Sequence, residues 1–119
     1  MDRHELGRFG EERAARWLRR HGYRIIETNF SCRSGEIDLI ARKGSYIVFV
    51  EVKLRKNADF AAAREFVTAA KQQRIRTTVA LWLSQHETEL QPRFDVIEIY
   101  APQGAEGSIT VNHIENAFE

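Results

Sequence analysis

The chain has 119 residues, of which 43% are hydrophobic and 29% are charged, with two prolines and one cysteine. This profile is typical of one compact domain, so we expect a single domain over residues 1–119. Cys32 has no partner in the chain, which excludes an internal disulfide and a cysteine-based zinc site and favours a reducing compartment. From the charged amino terminus we expect no signal peptide, and no apolar run approaches the roughly 20 residues of a membrane helix. The sequence therefore predicts a cytoplasmic protein with no membrane partner.

The charges are unevenly distributed along the chain, although the net charge is only +1. Residues 1–83 contain 17 of the 18 lysines and arginines and 10 of the 17 acidic residues, so the remaining residues are strongly acidic. Such asymmetry indicates contact with a polyanion on one face. Charges that are simply solvated and intermixed in the folded protein are the alternative.

Hydrophobic periodicity predicts two helices and five strands. The first helix covers residues 6–21, where apolar residues recur at helical spacing and Gly22 follows as a C-terminal cap. The second helix starts near Thr68 as N-cap, after a polar loop with a short turn at residues 62–66. Pro92 is expected to break the chain before the fourth strand. The predicted strands cover residues 23–30, 35–41, 46–53, 93–100 and 108–114.

The element order α-β-β-β-α-β, with a further strand, predicts an α/β fold of the α+β type with a mixed sheet. Turn residues 42–45 join the second and third strands into a central antiparallel hairpin. The third strand is almost continuously apolar, which is typical of a central strand buried on both faces. The long helical crossover allows the fourth strand to pair parallel to the third. Alternation along the second strand places Ile37, Leu39 and Ala41 on one face and Glu36, Asp38 and Ile40 on the other.

Two charged residues, Glu51 and Lys53, interrupt the apolar third strand and share one face. Charge inside a buried strand is unfavourable unless it is paired or bound to a metal. With the turn centred near residues 43–44, Asp38 lies across from residue 49 or 50, so Glu51 is one diagonal step away, roughly 7–8 Å between backbones. One Mg²⁺ ion would bridge both carboxylates, because Mg²⁺ accepts one or two carboxylates and keeps positions for water and phosphate oxygens. Lys53 would orient the attacking water or offset charge on the phosphate.

Three helical residues are further candidates because of their positions. Glu11 lies at the border of the buried stripe of the first helix and can lean over the sheet, although a solvated helix surface explains it equally well. Lys71 and Gln72 lie one turn before the core residue Ile75 and could reach a bound phosphate, but on sequence alone a solvated surface explains them better. For the strand residues, the alternative is an incidental ion pair. Convergence of three acids and a lysine from three elements favours a site.

Several motifs together resemble a known family over essentially the whole chain. They are Gly7-x-x-Gly10-Glu11-x-x-Ala14, Asn29-Phe30, Gly35-Glu36-Ile37-Asp38-Leu39-Ile40-Ala41, Phe49-Val50-Glu51-Val52-Lys53 and Arg93-Phe94-Asp95. By these motifs the chain resembles the uncharacterised bacterial YraN-like family. That family is similar to a branch of the PD-(D/E)XK, or restriction-endonuclease-like, nuclease superfamily related to archaeal Holliday junction resolvases. Ile37 stands where the superfamily's name has a proline, a position that varies.

The resemblance implies a restriction-endonuclease-like core of order α-β-β-β-α-β and Mg²⁺-dependent hydrolysis of phosphodiester bonds, with Mn²⁺ as a substitute. The superfamily's helical glutamate, its aspartate and its Glu-x-Lys motif fall on Glu11, Asp38, Glu51 and Lys53. Asp38 and Glu51 would then bind the metal together with the Val52 carbonyl. Glu11 would bind a second ion or its waters, and Lys53 would position the water.

On this basis we expect an endonuclease that acts on structured or branched DNA. The alternative is a non-catalytic nucleic-acid-binding or partner-docking module with a vestigial nuclease site, although retention of all four charged residues argues against decay. The sequence does not separate DNA from RNA as the substrate. It also leaves open whether the protein acts as a homodimer.

A basic segment begins at the candidate catalytic lysine, since residues 53–76 contain seven basic and two acidic residues. These cations are expected to neutralise phosphates on either side of the scissile bond, with a solvated loop as the alternative. The first helix could extend this surface through Arg13, Arg16 or Arg20. The predicted nucleic-acid-binding residues are Arg55, Lys56, Lys71, Gln72 and Arg74.

Overall fold

The computed structural model of the chain describes residues 2–55 and 68–118 and contains two helices and five strands in the predicted order. The helices are α1 (Arg3–Arg20) and α2 (Ala69–Gln85). The strands are β1 (Arg24–Cys32), β2 (Gly35–Lys43), β3 (Tyr46–Arg55), β4 (Gln91–Tyr100) and β5 (Thr110–Phe118), with a short 3₁₀ helix before β5 at Gly104–Glu106. The predicted turn at residues 62–66 lies outside the described residues. No helix in the described part of the chain is long and apolar enough to cross a membrane.

Local capping explains where the helices begin and end. The Asp2 side chain accepts a 2.8 Å hydrogen bond from the Glu5 N–H, so α1 begins three residues earlier than predicted. Gly22 follows α1 with a φ of 85°, a left-handed conformation that glycine adopts without strain. The Thr68 hydroxyl accepts from the Lys71 N–H at 3.1 Å, which confirms Thr68 as the N-cap of α2.

The five strands form one mixed sheet in the order β1-β2-β3-β4-β5. Strands β3 and β4 are parallel, as the helical crossover predicts, and the other neighbours are antiparallel. The expected break at Pro92 is wrong, because Pro92 is the second residue of β4 and pairs in register with Ile47. A proline near the start of a strand removes only one ladder hydrogen bond. Strand β5 also extends past its predicted end to Phe118, through a register shift near Asn116.

The sheet has a hydrophobic core on each face, so β3 is buried from both sides. Residues on the α1 face include Ala14, Leu18, Leu39, Ala41, Val48, Val50, Ile97 and Ile99. Residues on the α2 face include Ile37, Ile40, Ile47, Phe49, Ile75, Val79, Trp82 and Val96. Burial of these side chains, at roughly 25 cal/mol per Å² of apolar surface, fixes both helices against the sheet.

The regular pairing of β2 is interrupted at Asp38. The β2–β3 ladder ends at the pair Leu39 and Val50. The β1–β2 ladder passes directly from Leu39 to Ile37, and Asn29, which lies opposite Asp38, has a φ of 52°. Strict alternation along β2 was therefore a wrong prediction for Ile37, which packs on the α2 face with Ile40. The interruption removes the Asp38 side chain from the regular pattern of the sheet.

Candidate active site

Asp38 is mostly buried at the point where β2 and β3 separate. Its Oδ2 accepts a 2.8 Å hydrogen bond from the N–H of Val52, two residues beyond the end of the ladder. Burial and the negative charge of Glu51 raise the pKa of Asp38 to about 7, against the opposing effect of the Val52 hydrogen bond. The charges of Glu11 and Glu36 raise this pKa further. Asp38 therefore lies in a negative field that a cation would relieve.

The relative position of Asp38 and Glu51 differs from the predicted one by one residue. Lys43 pairs with Tyr46, so the two turn residues are Gly44 and Ser45. Gly44 has a φ of 59°, which suits a tight two-residue turn. Because Leu39 pairs with Val50, the next positions along the two strands are Asp38 and Glu51 themselves. The predicted register was therefore off by one residue: continued one step past the end of the ladder, the observed register places Asp38 opposite Glu51.

Glu51 and Lys53 share one face of β3, as their spacing predicts. Lys53 Nζ lies 3.2 Å from Glu51 Oε1, and both side chains are partly exposed. A second lysine, Lys71 at the start of α2, donates a 2.7 Å hydrogen bond to the same Glu51 oxygen. Burial lowers the pKa of Lys53, and the neighbouring Lys71 lowers it further. Glu51 is therefore held between two ammonium groups.

Glu11 approaches the site from the opposite helix. It is half-buried on α1 and lines a groove together with Asn29 and Leu39. Its charge contributes to the raised pKa of Asp38. Within residues 2–55 and 68–118, no three His, Cys, Asp or Glu side chains are close enough to hold a metal ion on their own. The assignment of Glu11 as a metal ligand stays a prediction.

The predicted nucleic-acid-binding residues have different surroundings. Lys71 contacts Glu51, and Arg74 is exposed beside it in a cleft of about 190 Å³ that Glu36, Glu51 and Thr78 also line. Gln72 accepts a 3.3 Å hydrogen bond from Arg76 through Oε1. Arg55 Nε lies 3.9 Å from the buried carboxylate of Glu98 on β4. Lys56 lies outside the described residues, so for all five residues nucleic-acid binding stays a prediction.

Sequence reasoning did not select two residues next to Asp38. Glu36 precedes it by two positions and raises its pKa, and Asn29 lies opposite it on β1 in the left-handed region. A non-glycine residue with positive φ is uncommon, and asparagine adopts this conformation more readily than most. The Asn29-Phe30 motif in the sequence was a signal that could have identified Asn29.

A buried polar network lies on the α1 face of the sheet, centred on Asp95. Its carboxylate accepts hydrogen bonds from the Arg93 guanidinium at 2.9 and 2.8 Å, from the Asn116 N–H at 3.0 Å, and pairs with His113 Nε2 at 2.7 Å. Arg93 also donates to the hydroxyl of Tyr23 at 2.6 Å. Although burial acts to raise the pKa of Asp95, the hydrogen bonds from His113, Arg93 and Asn116 outweigh it and lower this pKa. The network joins β4 to β5 and to the segment after α1.

The sequence has relatives across bacteria. The model of the family described as "Uncharacterised protein family UPF0102" matches residues 10–99. The UPF0102 protein of Symbiobacterium thermophilum is 46% identical over 95% of each chain. The UPF0102 protein of Caldanaerobacter subterraneus subsp. tengcongensis is 43% identical over 99% of this chain and 98% of its own length. That of Geobacter metallireducens is 44% identical over 96% of this chain and 92% of its own.

Proposed function

We propose that this chain, which belongs to the family UPF0102, is a cytoplasmic Mg²⁺-dependent endonuclease that hydrolyses phosphodiester bonds in structured or branched DNA. Its family membership confirms the resemblance to the YraN-like family. The observation that carries this proposal is the arrangement of Asp38, Glu51 and Lys53. The two acids directly follow the last pair of the ladder on neighbouring strands, and the lysine lies 3.2 Å from Glu51 on the same face of β3. Two acids and a lysine at the end of a strand pair are the groups that metal-assisted hydrolysis of a phosphodiester needs.

The donor set fits a hard divalent cation. The Asp38 and Glu51 carboxylates supply oxygen ligands, and burial, followed by the charge of Glu51, raises the pKa of Asp38, an effect that a bound cation would oppose. Asp38 and Glu51 would hold Mg²⁺ together with the carbonyl of Val52, and Glu11 would hold a second ion or metal-bound water. With two carboxylates on the protein, the remaining ligand positions are left for water and phosphate oxygens. A bound ion would lower the pKa of its water and offset charge on the phosphate.

The two lysines next to Glu51 have separate tasks in the proposed reaction. Lys53 positions the attacking water, whose oxygen forms a bond to phosphorus as one phosphorus–oxygen ester bond breaks. The departing oxygen takes up a proton, so the products are a phosphate monoester and a free hydroxyl group. Lys71 leaves Glu51 for a phosphate oxygen and offsets the charge that develops there. This exchange explains why Lys71 lies where it pairs with Glu51, a proposed metal ligand.

A second candidate function is a nucleic-acid-binding module without catalysis. The ion pairs of Glu51 with Lys53 and Lys71 favour it, because they neutralise a metal ligand without any metal. Thermal melts separate the two candidates. An ion present at ten times its Kd should stabilise the fold by about 1.4 kcal/mol, which is roughly 5 °C in a domain of this size. A vestigial site would show no shift with Mg²⁺ or Mn²⁺ at millimolar concentrations.

The proposal is tested with labelled linear, flapped, four-way and single-stranded DNA, incubated with Mg²⁺, Mn²⁺ or EDTA. We expect cleavage with either metal, most strongly on a branched substrate, and none in EDTA. Lys53→Met should lower the cleavage rate by about 100-fold or more, because water positioning and charge offset are both lost. Glu87→Gln, at an exposed position after α2, is the control and should cut at the parental rate. Absence of cleavage on every substrate would favour the binding module.

A further inference from the structure

A groove of about 730 Å³ runs along α1, between this helix and the first two strands. Most of its surface comes from one side of α1, where positions three and four residues apart lie above one another. We call this surface the α1 groove, and its lining residues are Arg8, Glu11, Glu12, Ala15, Arg16, Arg19, Arg20, Thr28, Asn29 and Leu39. The groove is separate from the cleft at the start of α2.

Several arginines of the α1 groove have no acidic partner in the described part of the chain. Arg16, Arg19 and Arg20 are exposed and form no ion pair with any carboxylate of residues 2–55 and 68–118. Arg8 contacts the ring of His4 at 2.9 Å. Four guanidinium groups face a groove that contains only two carboxylates, so its charge balance is positive. Unpaired arginines along a groove suit a ligand with several anionic groups.

One end of the α1 groove reaches the candidate active site. Glu11 and Leu39 line it, and the charge of Glu11 acts on the neighbouring Asp38. Asn29, which also lines the groove, lies opposite Asp38 with a φ of 52°. Backbone strain of this kind is concentrated at functional sites. The arginines therefore share a groove with Glu11 and Asn29, the two lining residues next to Asp38.

We infer that the α1 groove binds the phosphodiester backbone of a DNA strand and leads it to Asp38, an inference that rests on the proposed nuclease function. Arg8 and Arg20 are twelve residues apart, about 18 Å along a helix with a rise of 1.5 Å per residue. That distance matches about five nucleotides of a B-form strand at about 3.4 Å each. Contacts to phosphates alone position the strand without reading its sequence.

The test measures binding without catalysis. Fluorescence anisotropy in EDTA follows a labelled single-stranded DNA of about 20 nucleotides with the parent and with Arg16→Gln/Arg20→Gln. We expect the double variant to bind about tenfold more weakly at low salt. The dependence of log K on log salt should fall by about 0.7 for each phosphate of the single strand that the variant no longer neutralises. Glutamine keeps helix propensity, and both positions are exposed, so the thermal midpoint should stay near that of the parent.

The matched control is Arg24→Gln/Arg42→Gln, which removes the same charge from exposed positions outside the groove. It should bind as the parent does, apart from the small effect of net charge. Equal losses of affinity in the two double variants, or no binding by the parent at low salt, would overturn the inference. Groove-dependent binding of the matching RNA but not of DNA would also overturn it.

The outcome is distinguishable from a failure of the nuclease proposal because the binding assay contains no metal. A chain that binds DNA through the α1 groove and never cuts it supports the inference and contradicts the proposed catalysis. A chain that cuts DNA while Arg16→Gln/Arg20→Gln binds and cuts as the parent does overturns the inference and leaves the catalytic proposal standing.

Discussion

Lys71 on α2 donates a 2.7 Å hydrogen bond to Oε1 of Glu51 on β3. The same oxygen lies 3.2 Å from Lys53, so two ammonium groups share one carboxylate oxygen. This arrangement gives Lys71 two roles in the proposed reaction. It neutralises Glu51 before the metal binds, and it becomes available to a phosphate afterwards.

The first prediction concerns competition between Lys71 and the metal. Lys71→Met should bind Mg²⁺ about tenfold more tightly, because the ion no longer displaces a charge-assisted hydrogen bond. Its cleavage rate should fall, since the phosphate loses a cation. Isothermal titration calorimetry measures the affinity, with Arg74→Met as the control from the same turn of α2. Weaker Mg²⁺ binding by Lys71→Met would contradict the competition.

The second prediction follows from the raised pKa of Asp38, about 7 in the folded chain against 3.8 for an ordinary aspartate. Below pH 3.8 the carboxyl is neutral in both folded and unfolded chains, and above pH 7 it is charged in both. Between these values the fold favours the proton, so the metal-free protein loses stability as the pH rises, by on the order of 4 kcal/mol over the whole range. Asp38→Asn should lack this loss.

Urea unfolding in EDTA at pH 5 and pH 8 provides the measurement. The unfolding free energy of Asp38→Asn minus that of the parent should be more positive at pH 8 than at pH 5. The same difference at both pH values would show that Asp38 is not held neutral by its surroundings. With Mg²⁺ present, the parent should recover stability at pH 8, because the cation replaces the proton.

The third prediction concerns the buried network of Asp95. Asp95→Asn leaves Arg93 and its neighbours without their carboxylate partner, and should destabilise the fold by about 3 kcal/mol at neutral pH. Because the fold lowers the pKa of Asp95, its contribution is present above the ordinary value of 3.8 and is lost as the pH falls further. Thermal melts of Asp95→Asn and of Glu115→Gln give the comparison. Glu115 is exposed, and its contact with Tyr23 is a long hydrogen bond of 3.4 Å, so its loss should matter far less.

Much of the fold could be predicted because its determinants are local. Helix caps such as Thr68, the turn residues within 42–45 and the apolar run of β3 each specify one element. The interruption at Asn29 and Asp38 could not be predicted, since it depends on how three strands pair. That interruption turns Ile37 to the other face.

The parts of the candidate site that depend on local sequence were also predictable. Glu51 and Lys53 share a face by strand periodicity alone, and the hairpin brings Asp38 to them within one residue of the predicted register. The hydrogen bond between Lys71 and Glu51 depends on how α2 packs across the sheet, which spacing within the helix does not determine. The arginines of α1 could be named from the sequence, but the groove they line is a feature of the folded chain.

The central claim, hydrolysis at Asp38 and Glu51, is tested most directly by the single-turnover cleavage rate of a labelled four-way DNA junction in Mg²⁺. The parent and Glu51→Ala are purified side by side, so a contaminating nuclease would act equally in both. We predict cleavage by the parent that EDTA abolishes, and a rate for Glu51→Ala that is lower by about 100-fold or more. Equal rates for the two proteins, or no Mg²⁺-dependent cleavage by the parent, would contradict the claim.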